Sequence, residues 1–201
     1  MRYRYFFYDF DGMLVDTYPH LARALATALS QARGTVVDEQ ECFDQLKVTL
    51  KGTYEHFQVT EEERLLFKSL HEDLLFEPIP TLFPYVEEAL RECMKKGGKN
   101  FIYTNRGDLV LSYLEHLGIA DCFTDHILEA NKPECQKLEA MISAYGLPKE
   151  ECVVVGDRSL DVDSAYAAGV DGILFDFDGR VKEHHGTYVI RDTRELLGFL
   201  A

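Results

Sequence analysis

Two aspartates, Asp9 and Asp11, stand two residues apart just after the apolar run 3–8. In extended backbone, side chains two apart point to the same side, so both carboxylates can serve one small site. Gly12 follows and supplies a tight turn. Aspartate and glycine also populate ordinary strand-to-loop turns, so the pair taken alone supports either reading. Thr104, Lys132, Asp157 and Asp161 extend the chemical one. A carboxylate is a competent nucleophile toward a phosphoryl group, and an aspartyl-phosphate splits one hard displacement into two easier ones. The rest of phosphoryl transfer is positioning and charge neutralisation. Asp9 and Asp157, with Asp161 behind, offer hard oxygen ligands suited to Mg²⁺. Lys132 would hold the anionic phosphate, and the Thr104 hydroxyl and the backbone N–H groups after it would donate to phosphate oxygens. Asp11 is left for general acid–base work. Singly, each residue has a plainer reading: Thr104 a core hydroxyl, Lys132 a solvated lysine, Asp157 and Asp161 a helix N-cap and first-turn acid.

These residues need elements that bring them together. The run 3–8 is apolar at nearly every position, as suits a strand buried on both faces of a parallel sheet. Further strands are expected at 100–104, 152–155, 172–175 and 187–190. A helix is expected from Phe83-Pro84 to Gly97-Gly98, with Val86, Leu90 and Met94 on one face. Leu138, Met141, Ile142 and Tyr145 mark another, stopped by Gly146 and Pro148. Strand and helix alternate from 83 onward, which predicts a doubly wound, mainly parallel α/β core. Residues 16–81 break the rhythm with three helical patterns, around Leu21–Leu29, Phe43–Leu50 and Leu65–Leu75. The chain therefore divides into a core, 1–15 with 82–201, and a helical insertion, 16–81. In open α/β sheets, ligands bind at the carboxyl ends of the strands, where Asp9 and Asp11 fall.

The segment Asp9-Phe-Asp-Gly-Met-Leu-Val-Asp-Thr17 resembles the first signature of the haloacid dehalogenase superfamily, with Met13 in place of the usual threonine. Phe101-Ile-Tyr-Thr-Asn105 resembles the second, Lys132-Pro133 the third and Val153-Val-Val-Gly-Asp-Arg-Ser-Leu-Asp161 the fourth, in the family's order. The resemblance spans nearly the whole chain. It implies Asp9 as nucleophile, Asp11 as acid/base, and Mg²⁺ held by Asp9, the Asp11 backbone carbonyl, Asp157 and Asp161. Asp161 in the family acts through water or by orienting the lysine. Thr104, Asn105 and Lys132 fall where the family binds phosphate.

An aspartate at position 11 favours phosphate chemistry over dehalogenation. The insertion after the first motif is similar to the helical cap of the phosphoglycolate phosphatase and β-phosphoglucomutase branch, and Asp16–Leu25 looks most like the phosphatase side. The mutases usually carry a histidine where this chain has Leu21; His20 is one residue off. His20 could instead overhang the site. Lys51, read as part of a loop at Gly52, is the expected contact for a substrate's distal end. The function expected is a Mg²⁺-dependent phosphatase of a small phosphorylated metabolite. A phosphomutase and a non-catalytic phospho-ligand sensor are the alternatives.

Composition narrows the rest. Lys+Arg number 21 against 35 Asp+Glu, a formal −14, which repels polyphosphate backbones and argues against nucleic acid. Five cysteines without a CxxC pair argue against a disulfide framework or zinc ribbon and suit a reducing compartment. No apolar run approaches membrane-spanning length, and an acid at Asp9 interrupts any leader-like start. A cytoplasmic monomer or homodimer is expected. The second Asp-Phe-Asp-Gly, at 176–179, reads as a strand-end turn, and His184-His185 as a solvated loop. Arg106 and Arg158, directly after the second-motif asparagine and the fourth-motif aspartate, could add positive charge near the phosphate or pair with surface acids.

Overall fold

A computed structural model of the chain describes residues 3–73 and 75–201. In chain order the elements are β1 (Tyr5–Tyr8), β2 (Val15–Asp16), α1 (Tyr18–Arg33), α2 (Glu39–Leu46), α3 (Leu50–Phe57) and α4 (Glu61–His71). Then come β3 (Thr81–Leu82), α5 (Val86–Lys95), β4 (Lys99–Tyr103), α6 (Leu109–His116), β5 (Phe123–Ile127) and α7 (Gln136–Ala144). The last are β6 (Cys152–Gly156), α8 (Ser159–Ala168), β7 (Asp171–Phe175) and β8 (Tyr188–Ile190). Six strands form one sheet in the order β5-β4-β1-β6-β7-β8, with every pairing parallel. This is the doubly wound α/β arrangement. The chain divides into two compact units, Met1–Val15 with Leu82–Ala201, and Asp16–Thr81. Among the described residues no helix is long and apolar enough to cross a membrane.

β1 is central because its side chains are apolar on both faces: Phe6, Phe7 and Tyr8 are all buried. On one face Phe7, Phe101, Tyr103 and Val154 pack with Leu138 and Ile142 of α7 and Ala165 and Ala168 of α8. Phe7 and Phe101 stack at 4.7 Å across β1 and β4. α5 turns Val86, Ala89, Leu90 and Cys93 inward and leaves Met94 exposed, so the expected stripe is rotated by one residue. In α7, Leu138 and Ile142 are buried, Met141 is half-buried and Tyr145 lies on the rim against Phe101.

α6 and β5 were not among the expected elements. β5 is an edge strand whose exposure alternates through Thr124, Asp125 and His126, so it lacks the continuous apolar run that marks a central strand.

In the second unit the expected three helical patterns resolve into four helices. Asp38 caps α2, its side chain accepting from Glu41 N at 2.8 Å. Thr49 caps α3, accepting from Gly52 N at 2.9 Å, and Thr60 with Glu63 forms a reciprocal capping box on α4. The Thr49 cap corrects the reading of Lys51 and Gly52 as a loop. They lie in the first turn of α3, and the Lys51 side chain is 87% exposed and 3.8 Å from Glu55.

Candidate active site

The strand ends bring the predicted residues together because β1, β4 and β6 are adjacent and parallel. Asp9 N donates to Val155 O at 2.8 Å, continuing the β1–β6 ladder by one rung past the strand. Gly12, with φ of 75°, adopts a left-handed backbone and donates to Val15 O. That turn carries Asp11 beside the same opening as Asp9.

Lys132 is the hub. It is 2% exposed, and its Nζ lies 2.5 Å from Asp9 Oδ1 and 2.6 Å from Asp161 Oδ1. Its backbone is positioned by Asn105, whose Oδ1 accepts from Lys132 N at 3.2 Å, and by Asn131 in the left-handed region before it. The ammonium also sits 5.1 Å from the Tyr103 ring centre. Asp161 is held from its other oxygen, Oδ2, by Arg158 N at 3.0 Å, at the start of α8. Thr104 is buried; its N donates to Ile127 O, and its hydroxyl accepts from Arg106 N at 3.2 Å.

Carboxylate oxygens of Asp9, Asp157 and Asp161 lie within 4.8 Å of one another, all three residues buried. The Lys132 ammonium meets two of these three carboxylates, those of Asp9 and Asp161. Burial pushes the Asp9 carboxyl up, to about 7, reinforced by Asp161, Asp157 and Asp11 and opposed by Lys132. Burial pulls the Lys132 ammonium down, but Asp161 and Asp9 together outweigh it and hold it above its ordinary value. An all-oxygen, carboxylate-rich donor set fits a small, hard divalent cation such as Mg²⁺. The Asp11 carboxylate is not part of the cluster. Its Oδ2 pairs with Arg106 Nε at 3.0 Å.

One expected substrate contact, His20, is used within the helical unit. His20 is 1% exposed, its Nδ1 3.0 Å from Phe76 O and 3.1 Å from Pro78 O, and its Nε2 3.0 Å from His71 O. Those carbonyls lie within the helical unit and use both ring nitrogens, so His20 is an internal tie rather than a ligand-facing group. Asn105 spends its amide oxygen on the Lys132 backbone. Asp176 accepts from Arg180 N and Val181 N, and Asp178 pairs with Arg180, so the second Asp-Phe-Asp-Gly closes a turn after β7. His185 is exposed and pairs with Asp163 at 2.9 Å. Sequence reasoning passed over Gly156 as a residue in its own right. A Cβ there would lie 2.2 Å from Asp161 Oδ2, so only glycine lets α8 bring Asp161 to Lys132. Its place before Asp157 in the fourth motif was the available signal.

A doubly wound sheet with buried aspartates and a lysine at its carboxyl edge puts a charged cluster where such folds bind their ligands. The haloacid dehalogenase-like hydrolase model matches residues 6–175, and the chain belongs to that family. It is similar to a phosphoglycolate phosphatase of Mesorhizobium japonicum, with 30% identity over 91% of this chain and 88% of the relative. A hydrolase from Streptococcus pneumoniae TIGR4 superposes with a TM-score of 0.66 at 28% identity, over 87% of this chain and 94% of that one. A haloacid dehalogenase-like family protein from Streptococcus pneumoniae shares the fold, with a TM-score of 0.81 at 16% identity over 98% of each chain. The chain is accordingly a phosphatase of this family, which sets aside the non-catalytic sensor reading.

Proposed function

We propose that the protein is a Mg²⁺-dependent phosphatase that hydrolyses a small phosphorylated metabolite, of the phosphoglycolate kind, through an aspartyl-phosphate on Asp9. The observation that carries this is the buried Lys132, bridging Asp9 and Asp161 in a cluster with Asp157. Asp9, Asp157 and Asp161, with the Asp11 backbone carbonyl, would hold the cation. Mg²⁺ bound there supplies positive charge to the nucleophile and the phosphate oxygens, keeping Asp9 ionised at neutral pH.

Asp9 attacks phosphorus and the ester P–O bond breaks, the leaving oxygen taking a proton from Asp11. Water then attacks the aspartyl-phosphate. Its proton passes to Asp11, the acyl-phosphate P–O bond breaks, and phosphate and the Asp9 carboxylate are regenerated. Lys132 fixes the nucleophile's rotamer and balances charge throughout, while Asp161 orients Lys132. Thr104 and the backbone amides after it donate to the equatorial oxygens. The like-type relatives and the formal −14 support a small-molecule substrate in a cytoplasmic setting rather than a nucleic acid. The mutase alternative gains nothing from His20, which is tied to three carbonyls.

The test is release of phosphate from a panel of phosphorylated metabolites and from 4-nitrophenyl phosphate. EDTA should abolish turnover and Mg²⁺ restore it, and Asp9→Asn should lose at least a thousandfold in kcat. Full activity in chelator, or more than a few per cent residual turnover in Asp9→Asn, overturns the proposal.

A further inference from the structure

Arg106 ends the second motif's loop, and neither the fold nor the mechanism above has used its side chain. It is held at every part. Its backbone N donates to Thr104 Oγ1, and its backbone carbonyl accepts from Glu129 N at 2.8 Å. Its guanidinium carbon is 5.8 Å from the ring centres of both Phe10 and Tyr113, which are buried and 5.7 Å from each other. Nε then meets Asp11 Oδ2 at 3.0 Å, with the arginine side chain 15% and the aspartate side chain 22% exposed. The Nη1 group is buried with no hydrogen-bond partner of its own, so the side chain keeps this pose at a cost.

Lys132 and Arg106 take three of the site's four acids between them. Lys132 takes Asp9 and Asp161, and Arg106 takes Asp11. A guanidinium is always charged and planar, so an Nε contact fixes a carboxylate's plane as well as its position. The oxygen gripped in this way is committed to the guanidinium, and the whole carboxylate gains a defined orientation.

We propose that Arg106 is the positioning residue for Asp11, gripping Oδ2 and so fixing the plane in which the carboxylate handles the proton in both half-reactions. The aromatic pair Phe10 and Tyr113 braces the guanidinium for that purpose. The inference rests on the reading of Asp11 as acid/base to an Asp9 nucleophile. It adds a residue that acts through Asp11 and need touch neither substrate nor cation.

The experiment is a kinetic cycle on Mg²⁺-supplemented protein: wild type, Arg106→Gln, Arg106→Lys, Asp11→Asn and the double variant Asp11→Asn/Arg106→Gln. Each is assayed on substituted phenyl phosphates, from 4-nitrophenyl, which leaves without help, to unsubstituted phenyl, which needs a proton. General acid–base catalysis is worth roughly 10²–10⁴-fold, and loss of orientation should forfeit part of it. Arg106→Gln should lose roughly 30-fold in kcat on phenyl phosphate and about threefold on 4-nitrophenyl phosphate, with KM changed little. Arg106→Lys should recover part of that loss. In the Asp11→Asn background, Arg106→Gln should cost almost nothing further, because the group it positions is gone. Equal losses on both substrates, a rise in KM alone, or additivity with Asp11→Asn would overturn the assignment. Should Asp11→Asn itself fail to discriminate between the two substrates, the acid–base reading falls and this inference with it. If Arg106→Gln does not fold, Arg106→Lys decides: an unchanged leaving-group dependence in it refutes the proposal.

Discussion

Without a divalent cation, the site should make the protein less stable as pH rises. Asp9 ordinarily titrates near 3.8, and in the fold its carboxyl is pushed up to about 7. The folded chain therefore binds this proton more tightly than the unfolded chain does. The stability this confers is fully present below about pH 4 and is lost as pH rises through 7. Lys132 stays charged across that window, since Asp161 and Asp9 hold it above its ordinary value. A shift of about three pH units corresponds to about 4 kcal/mol, an upper limit because neighbouring charges and water relax. Only about two of those units lie between pH 5 and pH 8, so about 3 kcal/mol is lost there, a fall in Tm of roughly 5–10 °C for a chain of this size. A divalent cation supplies positive charge and should reverse the trend, so the Mg²⁺-induced rise in Tm should grow steadily over the same range. The assay is thermal unfolding by circular dichroism in EDTA and in excess Mg²⁺, at half-unit pH steps. Asp9→Asn isolates the cause: an amide does not titrate, so the metal-free Tm should flatten. If wild type and Asp9→Asn show the same pH slope in EDTA, Asp9 is not the strained group and the charge reasoning fails.

Gly156→Ala should drive Asp161 from Lys132, since the new Cβ would sit 2.2 Å from Asp161 Oδ2. We expect a destabilisation of about 1–3 kcal/mol by denaturant titration, with a loss of kcat on 4-nitrophenyl phosphate. His20→Ala should remove the ring whose nitrogens meet the part-buried carbonyls of His71, Phe76 and Pro78, costing about 1–3 kcal/mol. Limited proteolysis should then cut first within 16–81, and cleavage elsewhere would refute the assignment of His20 as an internal tie. Lys51→Ala should change stability by less than about 0.5 kcal/mol, because its pairing with Glu55 is solvent-exposed.

Much of this was legible from residue types and order alone. The uninterrupted apolar character of 5–8 and 152–155 could only be buried on both faces, so β1 and β6 had to be interior, parallel strands. The spacing of Asp9 and Asp11 then set both at one sheet edge, and the break of rhythm at 16–81 marked a separate helical unit. What local pattern could not supply was anything decided by distant packing. β5 is an edge strand with polar residues on its open face, so its period was masked. His20 could be read as overhanging the site or as a surface histidine until the carbonyls of His71, Phe76 and Pro78 meet its ring. Lys51 became a helix residue because the Thr49 hydroxyl won the N-cap. Lys132 could have been a solvated lysine on sequence grounds. Its burial between Asp9, 123 residues away, and Asp161, 29 residues away, follows from strand order, which no local pattern encodes. The pairing of Arg106 with Asp11 belongs to the same category: the motifs brought the loops to one edge, and only the packing of Phe10 against Tyr113 fixed which acid the guanidinium would meet.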